Sequence, residues 1–158
     1  MPGKGDQKRG AFDLERFLPY LLNQAAEFTS KRFEAAYRES YGITRTQWRI
    51  LAHLGSYGEM TAAAVSRRSH TEKTKLSRAV GTLEAEGLLQ REQSPSDRRT
   101  ERLRLTPAGR AIFDDLTGRA VDFDRELRET LGPERAQQLE DMLRILAARN
   151  ERGQYDAI

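Results

Sequence analysis

The feature that most constrains this chain is a break in its helical periodicity. Over residues 88–105 the apolar positions stop recurring at threes and fours and begin to alternate. Leu103 and Leu105 alternate with Arg102 and Arg104, so one face of the segment packs while the other faces outward. Residues 88–93 can form a second strand. Between the two lies Ser94-Pro95-Ser96-Asp97-Arg98-Arg99-Thr100, a polar run with turn chemistry. The result is a small β-hairpin in a chain that otherwise reads as helix.

Helix signals flank it on both sides. Leu21, Leu22, Ala25, Phe28, Phe33, Ala36 and Tyr37 recur at helical spacing. Pro19 suits a first turn and Gly42 a helix end, which predicts a short turn near residues 12–17 and then a helix over 19–41. Thr44 and Gln47 have capping-box spacing, with Ile43 and Trp48 placed as a hydrophobic staple, for a helix reaching about residue 55. Thr61 opens a short helix over 62–68. Ser69-His70 forms a turn, and Thr71 is the expected N-cap of a helix over 72–86 that Gly87 closes. Two helices joined this tightly suggest a helix-turn-helix. A hairpin directly after its second helix is a wing. Thr106-Pro107 then starts a helix to about Leu131, with Ile112, Leu116, Phe123 and Leu127 inward. Gly132-Pro133 starts a last one, striped by Ala136, Leu139, Leu143, Leu146 and Ala147.

Charge is distributed unevenly along this plan. The net charge is +3, but residues 61–110 hold eleven Lys and Arg against six Asp and Glu, while the rest holds 16 against 18. A basic centre between mildly acidic ends is the footprint of a nucleic-acid reader whose ends have a separate role. The chain has no cysteine, which excludes disulfides, thiolate metal sites and thiol redox sensing. Its two histidines, His53 and His70, make a His-rich metal site unexpected. No catalytic constellation, metal site, cofactor site or membrane-spanning run is expected. The expected location is the cytoplasm.

The 72–86 helix carries the sharpest functional signal. Leu76, Ala79, Val80 and Leu83 form its apolar face. The opposite face centres on Thr74, Arg78, Gly81 and Ala85, flanked by Lys75, Thr82 and Ser77. That face is small, polar and cationic, as a helix in the major groove requires. Arg78 suits a guanine edge, Thr74 and Ser77 suit bases or phosphates, and Lys73 and Lys75 suit phosphates. At the wing tip, Arg98 and Arg99 suit the narrow minor groove, where negative potential is strongest. Asp97 suits a bracing role beside an arginine.

Together these residues resemble the MarR family of winged-helix regulators. The likeness runs from about Leu21 to Asn150. Its most specific part is Asp97-Arg98-Arg99 followed by Leu105-Thr106-Pro107-Ala108-Gly109, which matches the family's Asp-x-Arg wing tip and Leu-Thr-x-x-Gly lead-in to the next helix. Thr74-Lys75-Leu76-Ser77-Arg78 and Leu83-Glu84-Ala85-Glu86-Gly87-Leu88 are similar to its recognition helix and exit. Val65-Ser66 and Thr71 depart from it, standing where Leu-Ala and an apolar residue are frequent.

The resemblance implies a mainly α fold with a small β-hairpin: a winged helix-turn-helix with N- and C-terminal helical dimerisation arms. Residues 1–11 and 151–158 are then tails, the first disordered and basic. Residues 12–150 are one domain, with dimerisation helices at 12–42 and 107–150 and the winged helix-turn-helix at 43–106. The implied function is a homodimeric repressor on a pseudo-palindromic operator, released by a small ligand such as an aromatic acid. An anionic aromatic needs a cation beside an apolar wall, which makes Tyr20, Phe28, Arg32, Trp48 and Arg49 the candidate ligand residues. The alternative is a winged helix that binds DNA or docks a protein without an effector.

Overall fold

The structure is a computed structural model that describes residues 12–93, 97 and 100–151, with side chains to Ala148. It comprises a single 3-10 turn at Leu14–Arg16, six helices and two strands. In chain order they are α1 (Leu18–Tyr41), α2 (Arg45–Tyr57), α3 (Ala62–Ser69), α4 (Lys73–Ala85), β1 (Leu89–Gln93), β2 (Glu101–Leu105), α5 (Pro107–Leu131) and α6 (Pro133–Glu151). The mainly α fold with one antiparallel hairpin is the one the sequence predicts.

The predicted caps recur with small corrections. The Thr44 side chain accepts from the Gln47 N–H while Gln47 returns a bond to the Thr44 N–H, so the capping box is complete. Gly42 takes a left-handed conformation at the end of α1, with φ 64°. Pro19 lies in the first turn of α1, which starts one residue earlier than expected. α2 runs past residue 55 to Tyr57, because Gly55 lies against the Phe113 ring of α5 and is a packing residue rather than a stop. β1 starts at Leu89, since the Leu88 carbonyl is taken by the Thr106 N–H.

One core closes the centre of the molecule. Ile43, Ile50, Leu51 and Leu54 from the α2 region meet Val65, Leu76, Val80 and Leu83 of α3 and α4, and Leu89 and Leu103 of the hairpin. Tyr37 of α1 and Leu116 of α5 complete it. β1 and β2 pair from Leu89–Leu105 to Gln93–Glu101. Met60 adds a bridge to Leu103 on the far side of β2, with bonds of 3.1 and 2.8 Å, so the hairpin is seated on the helices.

The lead-in to α5 shows why its sequence is so specific. The Thr106 hydroxyl accepts from the Gly109 N–H at 3.1 Å and donates to the Gly87 carbonyl at 2.6 Å. It caps α5 and pins it to the exit of α4. A Cβ at position 109 would overlap the Leu88 carbonyl, and backbone has little room to yield. Leu-Thr-x-x-Gly is thus a cap plus a close approach. Among the described residues no helix is long and apolar enough to cross a membrane.

Candidate nucleic-acid interface

The interface begins with the turn between α3 and α4. His70 ends α3 in the left-handed region, with φ 50°. Thr71 is not the N-cap: Glu72 is, and its side chain makes no capping bond. Thr71 is instead buried. Its carbonyl accepts from Ser66 Oγ at 2.7 Å, its N–H donates to the Ser66 carbonyl at 3.1 Å, and its hydroxyl accepts from Ser69 Oγ at 2.9 Å. The two departures noted in the sequence, Ser66 and Thr71, are therefore one feature. A polar residue on α3 bonds the backbone of the turn, where an apolar pair would pack.

α4 leaves this turn with its face as predicted. Leu76, Val80 and Leu83 are buried and Ala79 half-buried. Lys73, Thr74, Lys75, Ser77, Arg78, Gly81, Thr82 and Ala85 are exposed. Lys73, Lys75 and Arg78 form no ion pair among the described residues, so their charges face outward unspent. The Thr82 hydroxyl donates to the Arg78 carbonyl at 3.1 Å, which leaves its lone pairs for a partner. Because the Glu72 side chain makes no capping bond, the first N–H groups of α4 keep their capacity to bind an anion.

The hairpin carries a second set of charges. Arg104 pairs with Glu92 at 2.7 Å and Glu59 at 3.8 Å. Arg91 pairs with Glu84 at 3.0 Å and Glu101 at 3.3 Å. Arg102 is exposed and unpaired among the described residues, as is Arg67 on α3. Neither was singled out from the sequence, although the alternation of β2 already turned Arg102 outward. At the tip, Asp97 is exposed and accepts from Thr100 Oγ1 at 2.9 Å, while its carbonyl accepts the Thr100 N–H. Both bonds tie Asp97 to Thr100. Arg98 and Arg99 lie outside the described residues, as do residues 1–11 and 152–158.

The five candidate ligand residues do not converge. Phe28 is 72% exposed on α1. Tyr20 accepts from Gln24 Nε2 at 2.7 Å. Trp48 is half-buried and stacks with Tyr37 at 6.1 Å and lies tilted on Phe33 at 5.7 Å. Arg49 is exposed on α2. Arg32 lies over the Phe123 ring at 5.3 Å and pairs with Glu126 at 3.6 Å. Of the five, Arg32 alone lines a cavity of about 300 Å³ with Phe33, Ala36, Arg119, Asp122, Phe123 and Glu126. Sequence reasoning missed Phe33, Arg119 and Phe123 there, because only the α1–α5 packing joins them. Behind this cavity, burial raises the Tyr37 phenol above its ordinary pKa and Glu34 adds to the rise.

This architecture recurs in known proteins. The model of the MarR family matches residues 41–100. The transcriptional regulator FarR of Neisseria gonorrhoeae is 30% identical over 128 residues, covering 80% of this chain and 86% of FarR. The chain belongs to the MarR family. The crystal structure of a MarR-family transcriptional regulator from Silicibacter pomeroyi superposes with a TM-score of 0.76 at 28% identity, over 87% of this chain and 97% of that one. BpsR of Bordetella bronchiseptica, whose DNA binding is regulated by 6-hydroxynicotinic acid, shares the fold with a TM-score of 0.77 at 22% identity, over 87% and 98%. This MarR-family protein is a transcriptional regulator with a DNA-binding fold, not an enzyme.

Proposed function

We propose that this MarR-family protein acts in the cytoplasm as a homodimeric repressor that leaves a pseudo-palindromic operator when a small aromatic acid binds. The observation that carries the DNA reading is the outer face of α4. It offers Lys73, Lys75 and Arg78 with no ion pair among the described residues, and it has no bulky apolar side chain and no carboxylate at its centre. A protein-docking helix would expose an apolar cluster there. In this reading α4 enters the major groove, with Arg78 on a base edge, Thr74, Ser77 and Thr82 on bases or phosphates, and Lys73 and Lys75 on phosphates. In the same reading Arg98 and Arg99 meet the minor groove, and Asp97 braces a nearby arginine so that the wing holds its shape.

The arms support the dimer. The N-terminal half of α1 exposes Leu18, Leu21 and Leu22, and α6 exposes Leu139, Met142, Leu143 and Leu146. Side chains of this kind at helical spacing call for a second apolar surface, and a two-fold axis supplies the same surface again. The domain plan of 12–42 and 107–150 as arms and 43–106 as reader follows from that.

The cavity of about 300 Å³ supports the effector reading. Arg32 and Arg119 supply cations, and Phe33 and Phe123 supply apolar walls, as an aromatic carboxylate requires. BpsR responds to 6-hydroxynicotinic acid, a ligand of this class. The cavity spans α1 and α5, so a ligand there acts by favouring one arrangement of arms and reader over another. Trp48 backs its wall through Phe33, while Tyr20 and Phe28 lie elsewhere on α1 and Arg49 on α2.

The test starts with selection of duplexes from random DNA, followed by anisotropy and sedimentation. A dimer bound to an inverted repeat, displaced by an aromatic acid, is the expected result. Binding without a preferred sequence would remove the operator. Binding that no acid alters would favour the effector-free alternative.

A further inference from the structure

We propose that Arg91 is a positioning residue for DNA binding, which sets the angle of the hairpin against α4 and hence where the wing meets DNA relative to the recognition helix. The proposal rests on the reading that α4 and the wing both touch DNA.

The register places Arg91 opposite Leu103, on the hairpin face shared by Leu89, Leu105, Gln93 and Glu101. Along that face the apolar seam ends where Arg91 begins. Leu89 and Leu103 are buried, whereas Arg91 is exposed. Beyond them packing leaves a groove of about 230 Å³ between α3, α4 and β1, lined by Arg91 together with Lys73, Ser77 and Val80. Apolar packing seats the base of the hairpin on α4 but adds no contact across the open groove. The Arg91 guanidinium spans the two elements there: Nε donates to Glu84 of α4 at 3.0 Å and Nη1 to Glu101 of β2 at 3.3 Å.

One planar group thus holds the helix and both strands. A guanidinium fork keeps this geometry where a single ammonium point charge does not. On the other hairpin face Arg104 ties Glu92 to Glu59, in the segment before α3. The base of the wing is held from two sides, and any tilt at the base is amplified towards the tip.

The partners make the proposal testable through the sign of an effect. Glu84 is acidic and borders the DNA-facing surface. Removing its charge should tighten DNA binding if only overall electrostatics matter. A positioning role predicts the reverse. Affinity is measured by anisotropy on a duplex recovered by selection from random sequence, at several salt concentrations, with thermal midpoints to verify folding. Glu84→Gln and Arg91→Met should each weaken binding by about fivefold, and neither should add to the loss caused by Arg99→Ala, because coupled sites are non-additive. Arg91→Lys should not restore full affinity.

Tighter or unchanged binding with Glu84→Gln, while Arg99→Ala weakens it, overturns the clasp alone. So does additivity with Arg99→Ala, or full rescue by Arg91→Lys, since each marks Arg91 as a direct phosphate contact. Unchanged binding with Arg99→Ala overturns the wing reading, and the proposal with it.

Discussion

The segment proposed as reader and the segments proposed as arms are built from the same apolar residue types and differ in how far they bury them. In the reader, Ile50, Leu51, Leu54, Val65, Val80 and Leu83 are buried to within about 1% of complete closure. In the arms, Leu18 is 69% exposed and Met142 54%, and among the described residues α6 contributes only Ala136 to the buried apolar set. A leucine in the reader is satisfied by its own chain. The leucines of α1 and α6 still face solvent in the single chain, unlike Leu116 of α5, which joins the core. The difference concentrates the buried core in residues 37–116 and leaves apolar side chains exposed on α6 and the N-terminal half of α1.

The largest effect should separate the two regions outright. Leu54→Ala opens a cavity in the closed core and should cost about 2–5 kcal/mol of stability. That loss should appear in denaturant unfolding at any protein concentration. Met142→Asp puts a charge on a surface that the single chain already exposes. It should leave the unfolding of the isolated chain nearly untouched and weaken self-association by about 2 kcal/mol or more, read by sedimentation across a concentration series. Equal effects of both variants on chain stability would erase the distinction.

A smaller effect tests what the reader is for. Arg78→Ala removes an exposed side chain that makes no ion pair among the described residues, so folding should be unaffected. Specific DNA binding should fall by about 1–3 kcal/mol, with preference relaxed at one position of the half-site. Equal loss on selected and random duplexes would move Arg78 from a base edge to a phosphate.

These expectations were legible to very different degrees in the sequence. The helices, the hairpin and the exposed face of α4 follow from periodicity and caps, which are properties of neighbours in the chain. Thr71 misled because a threonine before a helix reads as a cap. Its actual partners, Ser66 and Ser69, are also close in sequence, yet the choice between capping and bonding back to α3 depends on the left-handed turn at His70. Gly55 misled in the same way, because its function is to admit the Phe113 ring from 58 residues away. The ligand candidates suffered most. A cation beside an aromatic wall needs two helices, and only the contact of α1 with α5 showed that Arg32 faces Phe123 rather than Trp48. The Arg91 clasp was hidden for a related reason: charge counts along a sequence do not say which charges are already paired.

The smallest effect concerns how α6 is held at all, given so little burial. Its main polar tie to α5 is Glu140, which accepts from Arg144 of its own helix and from Arg128 of α5 at 2.9 Å, while Arg128 also holds Asp124 at 2.7 Å. The hydrogen bonds from Arg144 and then Arg128 hold the Glu140 carboxyl below the ordinary glutamate pKa. A carboxylate whose folded pKa is depressed contributes stability that is present above its unfolded pKa, about 4.3, and is lost as pH falls through the lower folded value. The thermal midpoint of Glu140→Gln should therefore lie slightly below that of the parent at pH 7. The gap should hold down to about pH 4.3 and close as pH falls on through the lower folded value, below which both chains carry a neutral group at this position. The effect should be small, because the pair is exposed and screened by salt. A gap that persists unchanged at pH 3 would mean that Glu140 acts through packing. The arm would then be tied down by the same apolar contacts as the reader, and the contrast between the two regions would be one of degree.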